Sequence, residues 1–350
     1  MASRILAVAL IAAAVPMIVC AQSAAPDCTR VDNDAERLDC YDRQHGRKKD
    51  APSSPAAPTA HRAPSAPQAT ILPAPPPRAD TSLDARWDLD GRKGELFAPR
   101  VYRPVYLLAA DWTSNPNREP SSPSVGHQVP SPLELQPIEA KYQISFKSKI
   151  AHSLFGTPVS LWGAYTQSSR WQVYNAADSR PFRETNYEPE IMFVMPLDNV
   201  ELPGGGRLRM ASLSFNHQSN GRALPLSRSW NRVIGSVLYE NGDWTAELRP
   251  WVRVPERAVD DDNPDISDYA GRGEMRITRR WGEQFLSVQL RHSLRGGSRS
   301  HGSAQVDYVF PLVGALHGQV QLFSGYAESM IDYNVRQTRI GFGVTIAGWQ

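Results

Sequence analysis

Apolar and polar residues alternate with a period of two from about Phe97 to the C-terminus, in segments of roughly ten residues bounded by turn signals. Every second residue is apolar in 142–147, 244–249 and 286–291, and the residues between them are polar. A strand places alternate side chains on opposite faces, whereas a helix repeats about every 3.6 residues. The pattern therefore predicts β-strands with one apolar and one polar face.

Twelve such segments are predicted, and bacterial membrane barrels have an even number of strands. An even count also returns both ends of a barrel to the same side of the membrane, which suits an N-terminal extension in the periplasm. The predicted strands begin near Val101, Tyr142, Val159, Glu188, Arg207, Trp230, Trp244, Tyr269, Phe285, Ala304, His317 and Thr338.

Alternation by itself does not separate a membrane barrel from a soluble β-sandwich. The polar faces, however, carry charges in the middle of strands, among them Lys147, Glu247 and Arg291. A closed barrel turns such residues into its lumen, presents the apolar face to lipid and satisfies every backbone hydrogen bond. We therefore predict an all-β fold, a twelve-stranded antiparallel transmembrane β-barrel over residues 96–350 with a disordered Pro/Ala-rich N-terminal extension. The alternative is a periplasmic sandwich or an open barrel.

The first residues have the pattern of a secretory signal peptide, which we assign to 1–21. Arg4 precedes an apolar stretch over 5–19, and cleavage is expected before Gln22. The mature protein is then exported from the cytoplasm. Lipidation of Cys20 is the alternative, although the three residues before it lack the small side chains expected at such a site.

Two further segments precede the predicted barrel. Residues 22–50 contain Cys28 and Cys40, which in an oxidising compartment are expected to form a disulfide within a small periplasmic element. A zinc site is the alternative, but it would need further ligands at short spacing. Residues 51–95 are rich in Pro and Ala and predict an extended, mobile linker.

Composition narrows the class of function. The chain has 350 residues, with 38 Lys+Arg against 36 Asp+Glu and a formal net charge of +2. This near balance, without a basic stripe, argues against a nucleic-acid partner. Beyond the N-terminus no run of about 18 apolar residues occurs, which excludes a helical membrane protein.

His217 and Ser219 lie two residues apart near the end of a predicted strand, so their side chains point to the same face. That face also carries Leu213 and Phe215, and it is the lipid side of a barrel. A serine becomes a nucleophile when an imidazole takes its proton, and the imidazole needs a third group to hold its tautomer. Asn231 is the candidate for that group, if the two strands pair as a hairpin. The alternative is that the His and the Ser are ordinary polar residues at the headgroup level.

Several segments along the strands and loops are distinctive enough to compare with known families: Tyr165–Gln167, Pro181–Pro189, Asn216–Arg222, Ser227–Arg232, Asp262–Ile266, Ser324–Ser329 and Ile331–Asn334. In this order they closely resemble the bacterial outer-membrane phospholipase A family. The resemblance covers roughly residues 101–349. It does not cover 22–95, which looks like an addition to the family domain.

The resemblance implies a twelve-stranded barrel in the outer membrane that acts on membrane phospholipid as a phospholipase A1 and A2. The implied activity is calcium-dependent hydrolysis of acyl esters at sn-1 or sn-2, and of lysophospholipids. By resemblance, Ser219 is the nucleophile, His217 is the general base and Asn231 orients His217. These groups would lie on the barrel exterior at the level of the outer leaflet.

The resemblance also implies a Ca²⁺ cofactor at the interface of a homodimer, which is the active form. Its ligands would be the Arg222 carbonyl and the Ser227 hydroxyl of one copy, Ser179 of the other copy, and water. Such oxygen ligands suit a hard cation. Gln167 matches a buried polar position of the family's dimer interface.

Two departures from the family pattern are present. A second, weaker calcium position of the family would use Asp262 together with an acidic residue that is replaced here by Leu224. We therefore expect this second site to be impaired. Gln218 stands in place of an acidic residue between the predicted base and nucleophile, which changes the local charge without altering the triad.

Two rival functions remain compatible with the strand pattern. The first is a non-catalytic outer-membrane pore or structural barrel, which would conduct ions without releasing fatty acid. The second is a soluble periplasmic lipid binder, which would be found in the soluble fraction.

Overall fold

The computed structural model describes residues 28–45, 83–91 and 93–347. The chain divides into two units, 1–73 and 74–350. The predicted signal peptide, Cys20 and the greater part of the predicted linker lie outside the described residues.

In the first unit, the described residues form a short 3-10 helix (Cys28–Arg30) and one α-helix, α1 (Asp34–Gln44). Asn33 caps its N-terminus, because its side-chain oxygen accepts hydrogen bonds from the backbone N–H groups of Ala35 and Glu36 at 2.9 and 3.4 Å. A disulfide joins Cys28 to Cys40 and ties the segment before the helix to its second half.

The second unit is built from antiparallel strands, and no helix among the described residues is both long and apolar enough to cross a membrane. Its elements are the helices α2 (Leu83–Trp87) and α3 (Ile266–Tyr269) and the strands β1 (Arg100–Val101), β2 (Val105–Thr113), β3 (Ile138–Ala151), β4 (Ser160–Trp171), β5 (Phe182–Glu201), β6 (Arg207–Ser219), β7 (Ser229–Asn241), β8 (Trp244–Arg253), β9 (Gly273–Trp281), β10 (Gln284–His292), β11 (Gly302–Val313), β12 (Leu316–Gly325) and β13 (Gln337–Ala347).

The sheet closes into a barrel. Each strand from β2 onwards pairs with the next, and β13 returns to pair with β2. The short β1 pairs with β3 and continues the line of β2 across Pro104, which lacks a backbone N–H for the ladder. With β1 and β2 counted as one interrupted strand, the barrel has twelve strands, and the predicted fold class is confirmed.

Three of the predicted strand starts are wrong by four or more residues. Strand β3 begins at Ile138 and not near Tyr142. The start near Tyr269 falls in helix α3, and β9 begins only at Gly273. Strand β5 begins at Phe182 and not near Glu188, because the polar residues at its start interrupt the apolar alternation on which the prediction relied.

The two ends of the barrel differ. At one end, hereafter the short-turn end, β7–β8, β9–β10 and β11–β12 are joined by turns of two residues. At the other end, hereafter the long-loop end, the connections include 114–137 and 254–272. The loop 326–336 at this end is largely buried, because it folds into the lumen.

Many of the charged side chains in the lumen form ion pairs. Arg183 contacts Glu139 at 2.9 Å and Asp332 at 2.7 Å, and Arg339 contacts Asp111 at 2.7 Å. All five side chains are almost completely buried. An unpaired buried charge costs several kcal/mol, so the pairing explains how mid-strand charges are accommodated inside the barrel.

Helix α2 packs inside the barrel near the short-turn end. Leu83, Trp87 and Leu89 are buried in one cluster with lumen-facing apolar residues such as Trp162. The rings of Trp87 and Trp162 are 5.4 Å apart, and Lys147 Nζ lies 2.8 Å from the centre of the Trp87 ring. Residues 83–89 thus pack in the lumen, although they precede residue 96, where the sequence predicted the barrel domain to begin. The sequence did not predict this helix, because the three apolar residues Leu83, Trp87 and Leu89 are too few to show a helical period.

Replacing Trp87 by Ala is expected to lower the free energy of unfolding of the barrel by about 3–5 kcal/mol, because it removes a large buried ring and leaves a cavity. Urea unfolding of the membrane- or detergent-folded protein measures this difference. Phe97→Ala is the matched control in the same segment, since Phe97 is 68% exposed. Equal stability of the two variants would contradict a docked α2.

Candidate active site

Strands β6 and β7 form a hairpin whose register brings the predicted triad together. His217 pairs directly with Asn231, and Ser219 pairs with Ser229. On the same face of β6, Leu213 and Phe215 are exposed, whereas the side chains of the intervening residues point into the lumen. The three predicted residues therefore lie on the outer, apolar face of the barrel, next to the long-loop end.

A hydrogen bond joins two members of the triad. His217 Nδ1 lies 2.9 Å from Asn231 Oδ1, and because an amide oxygen only accepts, Nδ1 is the donor. The other ring nitrogen is then left with its lone pair, which a general base needs. The Ser219 hydroxyl has no hydrogen-bond partner among the described residues, so no hydrogen bond joins it to His217 in this structure. The catalytic roles of these residues remain predictions.

Sequence reasoning missed two charged residues beside Asn231. Asn231 Nδ2 donates to Glu256 Oε1 at 2.9 Å, and Arg253 contacts the same carboxylate at 3.0 Å. Both residues belong to a stretch at the end of β8 that matches no motif. The signal that was available is the run of acidic and basic residues over 253–262.

Asp262 lies in loop 254–272 and contacts side chains from loop 114–137, from the loop between β6 and β7, and from the first residue of β7. Ser227 Oγ donates to Asp262 Oδ2 at 2.6 Å, and Ser229 Oγ lies 3.4 Å from the same oxygen. His127 Nε2 lies 2.9 Å from Asp262 Oδ1. The structure thus brings two of the predicted calcium ligands, Ser227 and Asp262, into direct contact.

The other predicted calcium residues lie in loops at the same end. Arg222 follows the end of β6, and its backbone N–H donates to Asn220 Oδ1 at 3.3 Å. Leu224 is 61% exposed, and Ser179 is exposed with a left-handed backbone (φ 52°). Among the described residues, no group of three or more His, Cys, Asp or Glu side chains is arranged to hold a metal ion.

A buried arginine shapes the loop that follows β6. Arg228 donates from Nη1 to the carbonyls of Pro225 and Ser227 at 3.2 and 2.7 Å, and its backbone N–H donates to Asn220 Oδ1 at 3.0 Å. Burial lowers the pKa of its guanidinium. These bonds fix the position of Ser227.

Gln167 lies on the outer face of β4, between Ile144 of β3 and Tyr187 of β5. It accepts a hydrogen bond from the Tyr165 hydroxyl at 3.1 Å and lies 3.4 Å from Ser169 Oγ. It is therefore a polar group among apolar side chains of the lipid-facing surface, and the predicted interface role remains a prediction.

A family model described as phospholipase A1 matches residues 83–346. The chain belongs to the phospholipase A1 family. Phospholipase A1 of Klebsiella pneumoniae is 36% identical and covers 70% of this chain and 81% of its own length. The structure is similar to outer membrane phospholipase A from Escherichia coli, with a TM-score of 0.64 and 33% identity over 75% of this chain and 96% of that one. It is equally similar (TM-score 0.64, 33% identity, 74% and 96% coverage) to the Salmonella typhi outer membrane phospholipase dimer with bound calcium.

Membership of the phospholipase A1 family confirms the resemblance that the sequence motifs indicated. This phospholipase A1 family member is an outer-membrane β-barrel that hydrolyses phospholipids. Not all of the matching segments belong to the candidate site, because Ser324–Ser329 and Ile331–Asn334 lie at the end of β12 and in the buried loop that follows it.

Proposed function

We propose that this protein hydrolyses phospholipid acyl esters at sn-1 and sn-2, and those of lysophospholipids, in a calcium-dependent reaction of Ser219, His217 and Asn231. The observation that carries the proposal is the hydrogen bond of 2.9 Å between His217 and Asn231, next to Ser219, on the lipid-facing side of a barrel. A substrate that resides in the bilayer reaches this face without leaving the membrane.

The proposed reaction begins when His217 Nε2 takes the proton of the Ser219 hydroxyl. The Ser219 oxygen bonds to the ester carbonyl carbon, and the carbon–oxygen bond to the glycerol breaks as His217 returns the proton to the leaving oxygen. In the second half of the reaction, His217 takes a proton from water, and the water oxygen bonds to the carbonyl carbon of the acyl-Ser219 ester. The bond between that carbon and the Ser219 oxygen breaks, His217 returns the proton to Ser219, and the fatty acid is released. Asn231 Oδ1 accepts a hydrogen bond from the Nδ1–H group of His217 throughout and stabilises the imidazolium that forms.

The donor set beside the triad fits a hard cation, because the Ser227 hydroxyl, the Asp262 carboxylate and the Arg222 carbonyl are all oxygen ligands. In this proposal Arg222 and Ser227 of one copy and Ser179 of a second copy hold Ca²⁺. Bound calcium would supply positive charge next to the oxyanion of the transition state. The second calcium position of the family pattern uses two acidic residues. Here only Asp262 remains, because Leu224 replaces the other one.

A homodimer is the proposed active form, because one copy provides only part of the calcium ligand set. Ser179 is exposed in its loop, and Gln167 faces outwards among apolar residues, so both are accessible to a second copy. In the membrane, such outward polar groups are stabilised when they form hydrogen bonds with each other across an interface.

The orientation of the barrel is also a proposal. Long loops are extracellular in outer-membrane barrels and short turns are periplasmic. The proposed site then lies at the outer leaflet, and α2 lies at the periplasmic end of the barrel. Removal of the signal peptide and a periplasmic location of residues 22–82 belong to the same proposal, whereas α2 lies inside the barrel.

Removal of calcium by EDTA is expected to reduce fatty-acid release by about 100-fold or more, because the proposed oxyanion loses its nearest positive charge. Release from detergent-solubilised phospholipid is measured with Ca²⁺, with EDTA, and with EDTA followed by excess Ca²⁺. Ser227→Ala is expected to raise the calcium concentration needed for half-maximal rate. Equal rates of fatty-acid release with Ca²⁺ and with EDTA would contradict calcium dependence. A folded dimer that releases no fatty acid but shows single-channel conductance would favour the non-catalytic pore.

A further inference from the structure

Glu256 lies behind the proposed triad, on the side of Asn231 that faces away from His217. The backbone N–H of Val254 donates to the carbonyl of Asn231 at 2.8 Å, which extends the pairing of β7 beyond the end of β8. This pairing brings Glu256 to Asn231, whose Nδ2 donates to Glu256 Oε1 at 2.9 Å. His217, Asn231 and Glu256 thus form one continuous chain of hydrogen bonds.

The carboxylate decides which way the Asn231 amide points. A carboxylate oxygen only accepts, so the NH₂ end of the amide must face Glu256 and the oxygen must face His217. The amide oxygen can then accept only from an imidazole that carries its proton on Nδ1. A flipped amide would favour the opposite tautomer, which has no lone pair on Nε2 for the Ser219 proton.

Arg253 holds the Glu256 carboxylate in place. Its Nη2 donates to Glu256 Oε2 at 3.0 Å and to Asp261 Oδ1 at 2.6 Å, and its Nη1 donates to the carbonyls of Asn263 and Pro264 at 3.2 Å each. The side chains of Arg253 and Glu256 are only 12% and 16% exposed. The carboxylate therefore occupies a fixed position before any substrate binds.

The same arginine connects the triad to the loop that carries Asp262. Asp261 is the neighbour of Asp262, and Asn263 Oδ1 accepts a hydrogen bond from the backbone N–H of Ser229 at 2.9 Å. Glu256 is thus held by the segment that also sets the position of the proposed calcium residues.

We propose that Glu256 is a positioning residue of this esterase, which fixes the Asn231 amide and so holds His217 in the tautomer with its proton on Nδ1. The proposal rests on the proposed function and deepens it. Glu256 does not contact the substrate and takes no proton in the reaction.

The test compares Glu256→Gln with Asp260→Asn, which removes the same charge from the same loop but breaks only an exposed contact with Arg257. A glutamine both donates and accepts, so it no longer selects one direction of the Asn231 amide. We expect Glu256→Gln to lower kcat about tenfold with KM unchanged, and Asp260→Asn to leave both constants unchanged. In an Asn231→Ala background, Glu256→Gln is expected to change kcat by less than about twofold, because its effect acts through Asn231. A wild-type kcat for Glu256→Gln, or the same loss in both backgrounds, would overturn the proposal.

A second measurement does not depend on turnover. Nitrogen NMR shifts of isotope-labelled histidine report the tautomer of His217 in the folded Ser219→Ala protein. We expect the Nδ1–H form in Ser219→Ala and a mixture of tautomers when Glu256→Gln is added. An unchanged tautomer would overturn the role of Glu256 even if hydrolysis depends on Ser219. The tautomer change in the Ser219→Ala background, together with no hydrolysis by the folded protein that retains Ser219, would instead support Glu256 and refute the proposed function.

Discussion

Ser219→Ala is expected to reduce phospholipid hydrolysis by about four orders of magnitude or more, because no acyl-enzyme can form without the hydroxyl. The rate is measured as fatty-acid release by the folded protein in detergent with Ca²⁺. The side chain makes no hydrogen bond to the described residues and lies on the outer face of β6, so its removal is expected to leave the barrel intact. His217→Ala is expected to lose about as much activity, and the double variant no more than either one, since the residues act as a unit.

Ser324→Ala is the matched control for this prediction. Ser324 is also an outward-facing serine at the long-loop end of a strand, and its hydroxyl lies 3.4 Å from that of Thr338 on the neighbouring strand. We expect wild-type hydrolysis from this variant, and the same heat-dependent gel mobility of the folded barrel from both. Retention of activity in Ser219→Ala with a folded barrel would exclude Ser219 as the nucleophile.

The barrel was predictable because each strand has lipid on one face and the polar lumen on the other, which imposes a period of two on its sequence. In 286–291 the apolar Leu286 and Leu290 face outwards and the intervening Ser287 and Gln289 are buried in the lumen, as the alternation indicated. The limits of the strands were less predictable. At the long-loop end the strands leave the apolar environment while their pairing continues, and the sequence there no longer alternates.

The pairing of His217 with Asn231 was predictable from one assumption, that the two strands form a hairpin, and the register supports it. Glu256 was not predictable in the same way. It follows Pro255 after the end of β8, where the backbone is irregular and no period relates a residue to a face. Only the three-dimensional course of the loop shows that its carboxylate meets the Asn231 amide.

Helix α2 was missed for a different reason. Its apolar residues follow a Pro/Ala-rich stretch, and a helix of five residues spans barely more than one turn. What gives it a fixed place is tertiary contact, since Trp162 and other lumen-facing apolar residues form the surface on which Trp87 packs. Those residues lie far from α2 in the sequence. In their own strands, an apolar residue on the lumen face looks like an exception to the alternation and does not indicate a packing partner.

Glu328→Gln is expected to lower the free energy of unfolding by about 3–5 kcal/mol, because it leaves two buried cations without their anion. Glu328 belongs to the loop that folds into the lumen, and its carboxylate contacts Arg170 at 2.9 Å and Lys141 at 2.8 Å. The side chain is 1% exposed. Urea unfolding of the folded barrel measures the loss, and Glu119→Gln, on an exposed part of loop 114–137, is the control with the same change of charge.

The effect of Glu328 is also expected to depend on pH. Burial alone would raise the pKa of the Glu328 carboxyl, but the charges of Arg170 and Lys141 hold it well below its usual range. Because the pKa is lower in the folded state than in the unfolded state, the carboxylate contributes its full stability above the unfolded pKa of about 4.3. This contribution is lost as the pH falls through the folded pKa. The difference in stability between the wild type and Glu328→Gln should therefore be constant near neutral pH and narrow below about pH 4. A difference that widens on acidification would show that the carboxyl is protonated in the folded protein and that its cations are balanced by other groups of the lumen.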